Sequence, residues 1–121
     1  EGAGKFIEVT VSGAKTVEDA RILARSVVSS SLVKAAFFGA DANWGRILCA
    51  MGYSGADFNP EGTELSFSSA KGTITVVSKG EPIVFNEEKA KNILLEKEVS
   101  ASAWGCDLSY EYVRINGDYR S

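Results

Sequence analysis

The densest group of chemically capable side chains in this sequence is FGADANWGRI, residues 38–47, where Asp41, Asn43, Trp44 and Arg46 follow an apolar run. A carboxylate, an amide, an indole and a guanidinium this close together could grip a polar substrate. The same residues could equally start and anchor a helix. Asp41 or Asn43 is a suitable N-cap, and Ile47, Leu48 and Met51 continue at helical spacing toward Gly52 and Gly55. The spacing predicts a short helix over about 43–53. Trp44 then packs at its start, Gly45 admits another backbone closely, and Arg46 points toward a carboxylate or solvent. This scaffold reading is preferred to direct substrate contact by DANWGR.

Other chemistry is bounded by what the chain lacks. It has no histidine, which removes Ser-His-Asp and Cys-His nucleophilic arrangements and the usual zinc sites from these 121 residues. Cys49 and Cys106 fit no metal-ligand spacing. They are expected to be reduced, buried thiols in a reducing, cytoplasmic setting. Gly4-Lys5 in EGAGKF lacks both the upstream glycine and the following hydroxyl that a phosphate loop needs. GADA lacks the alternating acids of a calcium loop. The scattered acids form no compelling catalytic pair, and neither a metal nor a cofactor is expected. With 13 basic against 16 acidic residues and no basic cluster, nucleic-acid binding is not expected. No apolar run reaches the length of a membrane span, so no membrane partner is expected.

The elements that must position these residues follow from periodicity. In KFIEVTVS (5–12), Ile7, Val9 and Val11 alternate with Glu8, Thr10 and Ser12, the pattern of a half-buried strand. Thr16 precedes a helix with Glu18 and Asp19 in its first turn and a stripe of Ala20, Leu23, Ala24, Val27 and Val28. LVKAAFF (32–38) is expected to be a strand. LSFS (65–68), TITVV (73–77) and PIVF (82–85) read as a small meander. Asn86 caps a helix in which Ala90, Ile93 and Leu94 share one face, its charges being a solvated surface. SASAWGC looks extended. Leu108, Tyr112 and Ile115 suit a final helix, with a period of two through Cys106, Leu108, Tyr110 and Tyr112 competing. The class is α+β, and composition is that of one ordinary globular domain's length.

Three stretches together, LVKAAFFGADANWGRI, SAWGCDLSYEYVRIN and the ending INGDYRS, resemble the bifunctional ornithine acetyltransferase/N-acetylglutamate synthase family of arginine biosynthesis. EGAGKFIEV is similar to that family's EGATK-type segment. The resemblance covers nearly the whole chain and corresponds to the C-terminal part of the family's β-chain. It implies part of a self-cleaving, N-terminal-nucleophile-like α/β sandwich. Residues 1–55 would supply a strand-helix-strand-helix portion, and residues 56–121 a small C-terminal α+β subdomain ending in a substrate-binding tail.

The implied activity is transfer of acetyl from N-acetylornithine to glutamate in two acyl steps. The nucleophile is a threonine freed by self-cleavage and lying outside this chain. Its own α-amine can serve as base, so no histidine is needed. Implied partners are the N-terminal α-chain and the nucleophile-bearing segment of the same precursor, in a hetero-oligomer of processed chains. By the same resemblance Glu1, Asn116 and Ser121 match the family's substrate-holding residues, Glu1 through the substrate ammonium. A self-cleaving aminopeptidase of related architecture and a non-catalytic interaction domain are the alternatives.

The chain departs from the family pattern at Gly4, where threonine is usual, and at Ser121, where threonine is common. Glu1 does not match the family's self-cleavage point. LLEKEV also runs directly into SASAWG, where the family usually has another strand and a glycine turn. A flexible loop omitted between Glu98 and Ala101 is therefore expected.

Overall fold

The computed structural model describes residues 4–12, 14, 16–104 and 112–120. Its frame is one six-stranded sheet built from β1 (Gly4–Ser12), β2 (Glu64–Ser69), β3 (Gly72–Ser78), β4 (Glu81–Pro82), β5 (Glu98–Trp104) and β6 (Tyr112–Arg120), in the order β4-β3-β2-β5-β1-β6. The β1–β5 pair is parallel and every other pair is antiparallel. Strands from both sides of position 55 thus share this sheet, with β1 seated between β5 and β6.

Alternation decides which face is covered. Ile7, Val9, Leu65, Phe67, Val76, Val99 and Ala101 are buried on one face, while Glu8, Ser66, Ser68 and Ser100 on the other keep partial exposure. Register shifts between Leu65 and Ser66, so that Leu65 pairs with Val77 and Ser66 with Thr75. The extra residue, Val76, lets two successive valines be buried together, as a bulge permits.

Four helices pack on the apolar face: α1 (Val17–Ser29), α2 (Ser31–Phe38), α3 (Trp44–Gly52) and α4 (Glu87–Leu94). The α1 helix starts where Thr16 Oγ1 accepts the Asp19 N–H at 3.0 Å, and it buries Ala20, Leu23, Ala24 and Val27 against β1 and β6. In α4, Asn86 Oδ1 accepts the Lys89 N–H at 3.0 Å, and Ala90, Ile93 and Leu94 are buried. Both follow the sequence pattern.

Other expectations are corrected. LVKAAFF is helical, because Ser30 ends α1 and simultaneously caps α2, its Oγ accepting the Val33 N–H at 3.2 Å. Val33, Ala36 and Phe37 then fall on one buried face at i, i+3 and i+4. An unbroken apolar run carries no period that separates strand from helix, and the cap decides it. Tyr112 and Ile115 lie in strand β6, because pairing along the whole of β1 satisfies their backbone; Leu108 lies outside the described residues. PIVF contributes only Pro82 to β4. Residues 98–101 lie in β5, paired to β1 from Phe6↔Glu98 to Val9↔Ala101.

Candidate functional site

Of the residues expected to hold substrate, Glu1 and Ser121 lie outside the described residues, and Asn116 lies in β6 opposite Glu8 of β1. Strands β1 and β6 pair from Ser12↔Tyr112 to Gly4↔Arg120. Gly4, three residues from Glu1 in sequence, is therefore paired with Arg120, the sequence neighbour of Ser121, at one end of the β1–β6 pair. Asn116 does not share that end. It stands four register steps away, about 13 Å along a strand.

The polar face of the sheet carries a depression of about 320 Å³, lined by Phe6, Glu8, Ser68, Glu98 and Ser100 among others. Registers Phe6↔Glu98, Glu8↔Ser100 and Ser68↔Ser100 bring these together from three strands. Two carboxylates and two hydroxyls beside a phenyl ring can accept hydrogen bonds from a cationic group. Sequence reading assigned Glu8 only to a polar strand face. The missing information was the strand order, which inserts β5 between β1 and β2. Among the described residues no group of three or more His, Cys, Asp or Glu side chains is placed to hold a metal. No helix among them is long and apolar enough to cross a membrane.

A second hollow, of about 300 Å³, lies beside the DANWGR stretch, with Leu32, Asn43, Arg46, Cys49 and Tyr53 in its lining. Asn43 is the N-cap of α3, its Oδ1 accepting the Arg46 N–H at 3.1 Å, while its Nδ2 donates to Asp41 Oδ2 at 3.1 Å. Trp44 is half-buried and packs against the core. Ile47, Ala50 and Met51 complete the buried face of the helix.

Three details differ from expectation. Arg46 Nη1 donates to the Leu32 carbonyl at 3.0 Å, so the guanidinium ties α3 to the first turn of α2, not to a carboxylate. Among the described residues a side chain at Gly45 would meet only Asn43 Oδ1, at 3.5 Å, and no neighbouring backbone among them requires glycine there. Cys49 is an exposed free thiol, because it falls on the outer face of α3, and Cys106 lies outside the described residues. Since the indole is only half-buried, Trp44→Ala should cost about 1–2 kcal/mol, below the range for a fully buried ring. Urea denaturation measures it.

The ArgJ family profile matches residues 1–121. The "Arginine biosynthesis bifunctional protein ArgJ" of Caldanaerobacter subterraneus subsp. tengcongensis is 52% identical over 132 positions, covering 100% of this chain and 33% of that protein. The "Arginine biosynthesis bifunctional protein ArgJ, mitochondrial" of Schizosaccharomyces pombe is 48% identical over 134 positions, covering 100% of this chain and 30% of that protein. Both alignments are longer than the chain's 121 residues, so these relatives carry residues within the matched span that this chain lacks. The crystal structure of the arginine biosynthesis bifunctional protein from Bacillus halodurans superposes with a TM-score of 0.89 at 38% identity, covering 100% of this chain and 55% of that one. The chain spans about a third of the length of the curated relatives it matches. With a profile matched from end to end and an α+β fold shared with a solved member, the chain belongs to the ArgJ family.

Proposed function

We propose that this chain forms one wall of a glutamate N-acetyltransferase site whose threonine nucleophile is carried by a companion segment. The observation that carries the reading is the β1–β6 pairing. It pairs Gly4, three residues from Glu1 in sequence, with Arg120, the sequence neighbour of Ser121. Family membership over the whole chain supplies the chemical context, since the relatives are named as bifunctional proteins of arginine biosynthesis.

In the first half-reaction the threonine hydroxyl attacks the acetyl carbonyl of N-acetylornithine. A C–O bond forms and the amide C–N bond breaks. The hydroxyl proton passes through the threonine α-amine to the departing amine of ornithine. In the second half, the glutamate amine attacks the acetyl ester. N-Acetylglutamate leaves and the hydroxyl is restored, which gives ping-pong kinetics with no cofactor. The contribution of this chain is orientation: Glu1 receives the substrate ammonium, and Asn116 and Ser121 bind polar groups of the substrate. The companion is the α-chain with the nucleophile-bearing segment, in a cytoplasmic hetero-oligomer.

The test is Asn116→Ala in the assembled enzyme. A charge-assisted hydrogen bond in an enclosed site contributes about 1.5–3 kcal/mol, so kcat/KM for both amino-acid substrates should fall by roughly ten- to a hundredfold. Thermal stability should stay near wild type. Unchanged kinetics would remove Asn116 from the site.

A further inference from the structure

The DANWGR stretch is only partly accounted for by packing. Trp44 and Ile47 face the core, yet Arg46 and Cys49 line a hollow whose rim carries two large exposed apolar side chains, Leu32 at 60% and Tyr53 at 65% exposure. Single exposed apolar residues are ordinary, but two flanking one groove make an interaction surface. We propose that this groove is the docking site for a carboxylate-bearing segment of the companion polypeptide, a proposal that rests on the preceding reading that such a companion exists.

Arg46 sets the chemistry of the occupant. Arg46 is half-buried as a residue, and among the described residues its guanidinium makes one side-chain hydrogen bond, to the Leu32 carbonyl, at an exposed position. Guanidinium has five N–H donors in a planar fork. An apolar segment laid over this groove would strip water from the remaining donors without replacing it, which is costly for a charged group. A carboxylate placed between Leu32 and Tyr53 replaces that water with two parallel charge-assisted bonds.

A second copy of this chain fits less well. A two-fold interface sets a patch against itself, and among the described residues no carboxylate lines this groove to meet the Arg46 of a partner copy. Asp41, in the adjoining loop, is engaged by the Asn43 amide. About two thirds of the length of the matched relatives lies outside this chain, ample polypeptide to supply the occupant.

Cys49 is a reporter already placed in the groove. In the assembled enzyme, its alkylation by iodoacetamide, followed by peptide mass spectrometry, should be at least tenfold slower than in urea. Arg46→Met should restore most of the unfolded rate, and Arg46→Lys should restore less, with circular dichroism unchanged in both. Free alkylation of Cys49 in an enzyme that still transfers acetyl would overturn the docking proposal and leave the function standing. Protection retained in Arg46→Met would rule out the carboxylate. Protection lost on dilution while activity persists would assign the groove to a second copy instead. Absence of both assembly and acetyl transfer would instead overturn the functional reading itself.

Discussion

Replacing Phe67 by alanine should destabilise the protein by about 3–5 kcal/mol, the largest effect expected of any single truncation here. Phe67 is 1% exposed and stands on β2 with its ring edge-to-face on Phe37 of α2, centroids 5.8 Å apart and planes at 79°. The substitution therefore removes a full aromatic volume and the ring contact that joins the sheet to the second helix. Both partners are held by backbone hydrogen bonds of their own elements, so little collapse into the void is available. In urea titration the midpoint should drop with the slope unchanged. A loss below about 1 kcal/mol would mean that the ring is not where the structure has it.

Gly80→Ala should cost about 2–4 kcal/mol, for two separable reasons. The β3–β4 hairpin turns through Lys79 and Gly80 at φ +52° and +77°, the paired positive values of a type I′ turn. A methyl group at Gly80 would also collide with the Pro60 carbonyl oxygen and sit 2.7 Å from Glu61 Cα, both backbone atoms of the neighbouring 3-10 turn. That turn cannot withdraw freely, because the Gly80 N–H donates to the Thr63 carbonyl at 2.8 Å and Thr63 is fully buried. Gly55→Ala is the natural control. Its φ is +89°, yet a Cβ there has nothing within 4 Å among the described residues, so it should show only the conformational cost of about 1 kcal/mol. Equal losses at the two positions would remove the collision from the explanation.

The helices were legible wherever a cap and a stripe agreed. Thr16, Asn43 and Asn86 each precede an apolar pattern of helical period, and each accepts the expected N–H. Residues 31–38 are not legible as a helix, since their apolar run has no clear period and nothing in the run Ser29-Ser30-Ser31 singles out Ser30 as a new cap. Residues 112–120 failed for another reason: Tyr112 and Ile115 fit two periods, and the partner that settles the choice, β1, lies about a hundred residues earlier.

The candidate site divides in the same way. Period alone placed Glu8 and Ser68 on polar faces, but only strand order shows that they border one depression. Glu1, Asn116 and Ser121 carry no local signal, because a single carboxylate, amide or hydroxyl outside any motif of its own is ordinary in sequence. They stand out only through the resemblance of EGAGKF and INGDYRS to the family pattern. Arg46 shows the limit of local reading most clearly, since its bond partner, Leu32, lies in a helix that the sequence pattern presented as a strand.

The central claim is that the acetyl group is never carried by this chain but by a hydroxyl on its companion. Incubating the assembled enzyme with acetyl-labelled N-acetylornithine, quenching in acid and analysing each polypeptide by mass spectrometry tests that claim directly. Label is expected on the N-terminal threonine of the companion segment, to be discharged when glutamate is added before the quench. Label on any residue from Glu1 to Ser121 that glutamate can discharge would contradict it.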